Sequence, residues 1–405
     1  MSAPRTTTPG SQLIETPERV ALRRAVADLG GRYGSAYYLA KARAGEPADE
    51  LWAEAGKAGY LGVNLPAEYG GGGGGITDLA IVLEELGTAG CPLLLLIVSP
   101  AICGTVIARY GTEEQKRHWL PGLADGSRRM AFGITEPDAG SNSHRISTVA
   151  RRDGEDWLLT GRKVFVSGID HCDAVLFVAR IREGTSRPEA GGDARTGKLK
   201  PALFVVPRDT PGFEYRPIPM ELVAPEKQFQ VFLDDVRLPA EALVGDENAG
   251  LLQLFAGLNP ERVMTAAFSL GLARQALGKA VEYARSRVVW STPIGAHQGL
   301  AHPLARCAVE IELARLMTQK AALLYDAGED VAAGEAANMA KYAAGEAAAR
   351  TVDQAVQTLG GNGLTQEYGL GALLAATRVG RVAPVSREMV LNYVAQHTLG
   401  LPKSY

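Results

Sequence analysis

Two short segments of the chain concentrate residue types that could hold a ligand or move a proton. Residues 131–142, Ala-Phe-Gly-Ile-Thr-Glu-Pro-Asp-Ala-Gly-Ser-Asn, pack small residues, hydroxyl groups and a proline into one turn. Such a turn can offer backbone N–H groups to a ligand. Residues 258–262, Leu-Asn-Pro-Glu-Arg, place the Glu261 carboxylate beside the Arg262 guanidinium. A positioned carboxylate is a common general base.

The segment around Glu261 also has a purely structural interpretation. Asn259 is a favourable N-cap, Pro260 suits a first helical position, and the helix dipole favours an acid in the first turn. This interpretation predicts a helix that begins at Pro260. Its N-terminus and Arg262 would both lower the pKa of Glu261, whereas burial would raise it, so the sequence leaves the net direction open.

Glycines mark two further segments. Residues 357–363, Gln-Thr-Leu-Gly-Gly-Asn-Gly, follow an Ala-rich stretch with helical periodicity. Glycine there can end the helix, and it also lets the backbone approach a ligand closely. The six consecutive glycines at 70–75 match GxGxxG formally, but no buried strand precedes them. We therefore predict a flexible loop over 69–75 rather than a nucleotide site.

Composition narrows the class of protein. The 405 residues carry 42 basic and 45 acidic side chains, a net charge of −3 that argues against broad electrostatic binding to nucleic acid. Four widely spaced cysteines indicate buried thiols in a reducing compartment rather than a disulfide framework or a metal site. The longest apolar run, residues 93–98, is too short to span a membrane. We expect a cytoplasmic enzyme, with a short organelle-targeting tail left open by the Thr-rich N-terminus.

The elements that must position these segments fall into three parts. Helical periodicity dominates residues 1–128, short β-like segments separated by Gly, Pro and Asp turns dominate 129–246, and four long helices are predicted in 247–405. A polar stretch at 183–200 is predicted to be an exposed hairpin loop. The α–β–α order without βαβ alternation predicts an α+β fold and argues against a Rossmann sheet.

These segments resemble the signatures of the acyl-CoA dehydrogenase superfamily. Residues 135–141, TEPDAGS, resemble its TEPxAGSD signature, and GGNG after Gln357 resembles QxxGGxG. Residues 163–168 resemble its KxWITNG strand and residues 232–239 its FDxVRVP strand. The match covers about residues 15–400 in the family's order. It implies an N-terminal α-helical domain (1–128), a middle β-barrel domain (129–246) and a C-terminal four-helix bundle (247–405).

The resemblance implies a flavoprotein with FAD as its cofactor. The reaction would be α,β-dehydrogenation of an acyl-CoA to the trans-2-enoyl-CoA, through α-proton abstraction and hydride transfer to flavin N5. An electron-transfer flavoprotein would accept the electrons, and the chain would form a homodimer or homotetramer.

The resemblance also carries ligand-binding roles onto individual positions of this chain. Those expected at the isoalloxazine ring are Phe132, Ile134, Thr135, Ser141, Phe165 and Ser167. Those expected at the diphosphate–adenosine end, across the subunit interface, are Arg287, Trp290, Gln298, Gln357, Gly360 and Gly361. Ser386 and Glu388 would provide a further cofactor contact. Ser141, Asn259 and Arg262 would line the thioester end of the site.

The sequence departs from the commonest family pattern at the catalytic carboxylate. Many members carry that glutamate in a segment that corresponds here to residues 383–386, where Pro384 takes its place. Isovaleryl- and long-chain-type members instead carry the base early in the first bundle helix, directly before an arginine. Glu261 matches that position, so the resemblance implies that Glu261 is the base. Ala383 replaces the usual tyrosine and predicts room for a branched, cyclic or bulky acyl group.

Other functions stay open on the same fold. If Glu261 only begins a helix, the chain could be a flavin-dependent oxidase or monooxygenase. The reverse reaction, an enoyl-CoA reductase, uses the same groups. A non-catalytic flavin- or CoA-binding protein would need no base at all. The histidine and cysteine spacing predicts no metal site.

Overall fold

The computed structural model describes residues 15–182, 200–247 and 250–403. The N-terminal tail and residues 183–199 of the predicted hairpin loop lie outside the described residues. Helices precede residue 126, strands follow up to residue 244, and helices return from Gly250. The predicted α+β fold with its α–β–α order is confirmed. In the described ranges, no helix combines the length and the apolar character that a membrane crossing needs.

The N-terminal part is a layer of helices. They are α1 (Pro17–Ala44), α2 (Asp49–Lys57), α3 (Ile76–Ala89), a π-helical segment (Ile97–Gly104), α4 (Thr105–Tyr110) and α5 (Glu113–Asp125). Helix α5 begins with a capping box, in which the side chains of Thr112 and Gln115 each accept a hydrogen bond from the other's backbone N–H. Pro100 lies inside the π-helical segment. Such segments are frequent at functional sites.

The glycine run at 70–75 is a packed turn, so the predicted flexible loop is wrong. Gly72, Gly73 and Gly74 donate backbone hydrogen bonds of 2.9 Å to the carbonyls of residues 62, 65 and 63. A Cβ on Gly71 would lie 2.2 Å from the carbonyl oxygen of Leu65. Glycine is needed here because two backbone segments touch.

The middle part is a mixed eight-stranded sheet. Its strands are β1 (Met130–Gly133), β2 (Val149–Asp153), β3 (Asp156–Ser167), β4 (Ala174–Arg182), β5 (Lys200–Pro207), β6 (Phe213–Ile218), β7 (Gln228–Leu238) and β8 (Leu243–Val244). The order is β6-β7-β3-β2-β4-β5-β8, and β1 pairs in parallel with β4. The register of β3 against β7 shifts between Lys163 and Val166, which marks a bulge.

The C-terminal part is a bundle of long helices. They are α6 (Gly250–Ser286), α7 (Gln298–Asp326), α8 (Asp330–Leu359), α9 (Leu370–Val382) and the short α10 (Arg387–Tyr393). A ribbon of β9 (Val288–Val289) and β10 (Thr292–Pro293) joins α6 to α7. The helices of the bundle bury mainly alanine and leucine side chains on their inner faces.

Helix α6 begins at Gly250, so the predicted start at Pro260 is wrong and Asn259 is not an N-cap. A proline inside a helix leaves the carbonyl four residues earlier without its N–H donor. Here the Tyr325 hydroxyl on α7 donates a 2.7 Å hydrogen bond to the Ala256 carbonyl oxygen. The tertiary contact replaces the lost donor, which lets the helix run through Pro260.

A buried charge network joins the N-terminal helices to the bundle. Arg274 on α6 donates hydrogen bonds of 2.8 and 2.6 Å to Glu84 and Glu85 on α3. Arg23 on α1 contacts the same two carboxylates. Although burial opposes it, the two arginines hold the pKa of Glu84 at about 2. The network therefore fixes α6 against the N-terminal layer.

We predict that Arg274→Leu lowers the free energy of unfolding by about 3–5 kcal/mol, because it leaves two buried carboxylates with one arginine. Arg285→Leu is the matched control, since Arg285 is exposed on the same helix. Its effect should stay within about 0.5 kcal/mol. Urea and thermal unfolding of both variants test the expectation, and equal losses would contradict it.

Candidate active site

A cavity of about 680 Å³ lies between the sheet, the N-terminal helices and the bundle. Helix α6 contributes one long face to it, α9 another, and the π-helical segment a third wall. Among the described residues that line the cavity, Glu261 is the one carboxylate and Arg262 the one cation. The remaining wall is mainly apolar, which is typical of a small-molecule site with a few placed polar groups.

Glu261 lies in the interior of α6, half-buried at the cavity wall. Burial raises its pKa to about 7, and Arg262 opposes that shift. The helix-terminus effect expected from the sequence does not apply, because α6 begins eleven residues earlier at Gly250. The effect of burial on this pKa exceeds that of Arg262, so Glu261 can gain or lose a proton near neutral pH.

Arg262 is only 8% exposed and its charge is not matched by a close ion pair in the described structure. Its Nη1 donates to the Leu258 carbonyl oxygen at 3.2 Å and to Asn259 Oδ1 at 3.1 Å. Its buried Nε has no hydrogen-bond partner. Asn259 does not line the cavity; it orients the guanidinium. An orphaned donor on a cavity wall indicates a site built for a ligand oxygen.

All six residues predicted at the flavin ring line this cavity: Phe132, Ile134, Thr135, Ser141, Phe165 and Ser167. Phe165 is held in a left-handed conformation with φ of 58° and is 57% exposed. The bulge in β3 turns it outward, and Val164 N–H donates to the Thr135 carbonyl oxygen at 2.9 Å. Strain of this kind in a bulky residue is characteristic of ligand sites.

The sequence interpretation missed Gln228, which also lines the cavity. Gln228 begins β7 directly opposite Ser167, and the two side chains exchange hydrogen bonds of 3.1 and 2.9 Å. This places a hydroxyl and an amide together on an otherwise apolar wall. Only the strand register brings the pair together, so no local sequence signal identifies Gln228.

Two other signature residues have a structural role. Lys163 is fully buried, and its Nζ donates to Glu136 Oε1 at 2.9 Å and to the Ile134 carbonyl oxygen at 3.0 Å. Glu136 also accepts from the backbone and hydroxyl groups of Ser147 and Thr148. This network ties the turn at 135–141 to β3 and holds the cavity wall in place.

The segment that departs from the family pattern faces the same cavity. Ala383, Pro384, Val385 and Ser386 all line it. Lys341, buried on α8, donates to the Val385 carbonyl oxygen. Ser386 also caps α10 by accepting from the Met389 N–H at 3.3 Å. The two family positions for a catalytic carboxylate, residues 261 and 384, therefore border the same cavity. In this chain the carboxylate in that cavity is the one of Glu261.

The other predicted cofactor residues do not line the cavity: Arg287, Trp290, Gln298, Gln357, Gly360, Gly361 and Glu388. All seven are exposed, Trp290 by 94%. Asn362 Nδ2 donates to the Tyr283 hydroxyl at 3.1 Å and so joins the glycine turn to the end of α6. Glu388 instead accepts from Arg387 Nε at 2.7 Å. The first six of these residues lie around the far end of the bundle, away from Glu261.

A helical layer, a mixed sheet and a helical bundle around one cavity form the three-part architecture expected from the family resemblance. Family models described as the N-terminal, middle and C-terminal domains of acyl-CoA dehydrogenase match residues 16–127, 131–236 and 248–399. The chain belongs to the acyl-CoA dehydrogenase family. It is an FAD-dependent oxidoreductase that dehydrogenates acyl-CoA thioesters, as predicted.

Relatives support this assignment over the whole chain. Acyl-CoA dehydrogenase FadE12 of Mycobacterium tuberculosis is 65% identical over 395 residues, which cover 98% of this chain and 99% of the relative. Butyryl-CoA dehydrogenase from Megasphaera elsdenii superposes with a TM-score of 0.87 at 26% identity, over 95% of this chain and 99% of that one. A glutaryl-CoA dehydrogenase from Mycobacterium smegmatis in complex with FADH2 gives 0.86 at 26% identity, over 98% and 97%.

The raised pKa of Glu261 predicts a stability cost at alkaline pH. From the ordinary value of 4.5 up to about 7, the unfolded chain loses this proton while the folded chain keeps it. Stability contributed by this group therefore falls as pH rises through that window and levels off above it. The free energy of unfolding of Glu261→Gln should exceed that of wild type by about 1–3 kcal/mol at pH 8, and the two should differ little at pH 4.5.

Urea unfolding at the two pH values, with FAD present at equal saturation, measures this difference. Glu282→Gln, an exposed position on the same helix, should be neutral at both pH values. A Glu261→Gln protein that is less stable than wild type at pH 8 would refute the expectation.

Proposed function

We propose that Glu261 is the base that removes the α-proton of the acyl-CoA thioester. The observation that carries this proposal is that Glu261 is the one carboxylate among the described cavity-lining residues. Its pKa of about 7 lets it accept a proton at neutral pH and release it again. Pro384, at the other family position, cannot accept one.

The residues around the cavity fit a flavin. The outward-turned ring of Phe165, the Ser167–Gln228 pair and the backbone of 132–135 offer a ring contact and hydrogen-bonding groups on one wall. FAD bound there supplies the hydride acceptor. Ser141 and Arg262, both on the cavity wall, are proposed to line the thioester end. Asn259 positions Arg262 rather than contacting substrate.

A carboxylate base argues for dehydrogenation over the alternatives. A monooxygenase needs no α-proton acceptor facing the substrate, and a non-catalytic binding protein would not need a carboxyl group held near its titration point. An acyl-CoA oxidase would use the same base and would differ in passing the electrons to O₂. Enoyl-CoA reduction uses the same Glu261 in reverse. We propose oxidation as the physiological direction, with an electron-transfer flavoprotein as acceptor.

Glu261→Gln is predicted to retain FAD but to reduce its flavin with acyl-CoA about 10²–10⁴-fold more slowly, the usual contribution of a general base. Anaerobic stopped-flow mixing with acyl-CoA, followed by flavin absorbance, measures the rate. Glu282→Gln should match wild type. Reduction at the wild-type rate in Glu261→Gln would exclude Glu261 as the base.

We further infer that the Arg287 surface serves the cofactor of a neighbouring copy. Arg287 comes directly after the end of α6 and 26 residues after Glu261, an axial distance of about 39 Å at 1.5 Å per residue. One bound dinucleotide cannot easily bridge that span. The exposed Trp290 and the glycine turn at 360–361 share this surface. A homodimer would bring it to the partner's cavity, as the family resemblance implies.

A second exposed stripe supports a larger assembly. Val309, Leu313, Leu316 and Leu323 are 38–62% exposed along one side of α7. An apolar stripe at this spacing is suited to helix–helix packing. We propose a homotetramer built from two dimers, in the cytoplasm.

Domain boundaries near 128 and 246 are supported by the gaps between the matched family models.

A subunit-mixing experiment tests the shared site. Arg287→Glu is predicted to weaken FAD binding by at least tenfold, because it places a negative charge against a diphosphate. Arg24→Glu, exposed on α1, is the control. Co-expression of Arg287→Glu with Glu261→Gln should restore activity, since the mixed dimer contains one site with both residues intact. Absence of restoration in verified mixed dimers would show that Arg287 acts within its own chain.

A further inference from the structure

The cavity is a long slot along α6 rather than a compact chamber. Glu261, Thr265, Phe268, Leu272 and Gln275 all line it. Their spacing keeps them on one face of the helix, and the 14 residues from Glu261 to Gln275 span about 21 Å at 1.5 Å per residue. The slot therefore continues well past the position of the base.

Helix α9 forms the opposite wall, and an equal number of its residues spans the slot. Gly369 lines one end of the slot and Ala383 the other, again 14 residues apart. Lys279, near the end of α6, donates a 2.7 Å hydrogen bond to the Tyr368 carbonyl oxygen. The two helices thus run in opposite directions, with Gly369 beside the Gln275 end. Between these ends the α9 wall is small and apolar: Ala372, Leu373, Ala376, Val379 and Val382.

The far end of the slot is polar. Gln275 is 7% exposed, lines the cavity, and its Oε1 has no hydrogen-bond partner. Ser35 and Tyr38 on α1 line the same end. The Glu226 carboxylate lies near Tyr38, and its Oε2 is buried without a hydrogen-bond partner. Native proteins rarely leave such atoms unpaired unless a ligand or water satisfies them.

We propose that this slot takes a long, extended acyl chain that carries a hydroxyl group near its far end, hydrogen-bonded by the Gln275 amide. An extended chain advances about 1.25 Å per C–C bond of about 1.5 Å, so about 21 Å holds roughly 16 carbons. The inference rests on the proposed role of Glu261, because that residue fixes where the α-carbon lies.

The chemistry of the far end favours a hydroxyl over other groups. An unsubstituted alkyl end would bury the Gln275 oxygen against hydrocarbon without a partner. A terminal carboxylate would lie near Glu226, and Lys279, the described cation at that end, does not line the slot and donates to Ser35 and to the Tyr368 carbonyl oxygen. A hydroxyl can both donate to and accept from an amide, so it satisfies Gln275 in either orientation.

Flavin reduction by three substrates tests the proposal: octanoyl-CoA, palmitoyl-CoA and 16-hydroxypalmitoyl-CoA. In wild type we expect kcat/KM for 16-hydroxypalmitoyl-CoA to exceed that for palmitoyl-CoA by about tenfold, the ratio that 1.4 kcal/mol gives. Gln275→Leu should reverse that order. Any change with octanoyl-CoA should be smaller than the change with either C16 substrate, because eight carbons end well short of Gln275. Gln230→Leu, on β7 outside the slot, should keep the wild-type order.

The outcomes separate this inference from the proposed function. If Glu261→Gln still reduces flavin with octanoyl-CoA at the wild-type rate, the role of Glu261 fails. If octanoyl-CoA reacts in a Glu261-dependent way but neither C16 substrate does, the long slot is overturned. If palmitoyl-CoA is the better C16 substrate in wild type, or Gln275→Leu leaves the order unchanged, the recognition by Gln275 is overturned.

Discussion

The site depends on one buried set of charges: Arg23 and Arg274 against Glu84 and Glu85. These side chains join α1, α3 and α6, so they set how far the bundle stands from the N-terminal layer. Arg274 is adjacent to Gln275, and the two project into the network and the slot respectively. Because a buried charge that loses its partner is costly, the network resists the sliding that would close the slot.

The energetic costs of the fold are concentrated at the cavity. Glu261 carries a raised pKa, Arg262 an unpartnered donor, and Phe165 a strained backbone. Each is unfavourable for the folded chain alone and becomes useful only with a ligand in place. The Lys163–Glu136 pair and the charge network are well satisfied by comparison, and they stabilise the walls on which those three residues stand.

Much of the architecture could be predicted from the sequence, because helix caps, strand turns and family signatures are local patterns. The site residues on and beside the sheet follow from the TEPDAGS and KVFVSG segments for the same reason. The start of α6 could not be predicted, since only Tyr325, distant in sequence, supplies the donor that Pro260 removes. Gln228 and Gln275 could not be predicted as site residues either, because strand register and helix packing, rather than any motif, bring them to the cavity.

The position of the base and the length of the slot are connected. A glutamate at the Pro384 position would have its side chain, and the usual tyrosine beside it, on the α9 side of the cavity. With the carboxylate on α6 instead, the α9 side is lined by Ala376, Ala383 and other small apolar residues. A helix face made of small, uncharged side chains can pack against hydrocarbon along its whole length. With the base at Glu261, as proposed, α9 is left to serve as the wall of the proposed acyl slot.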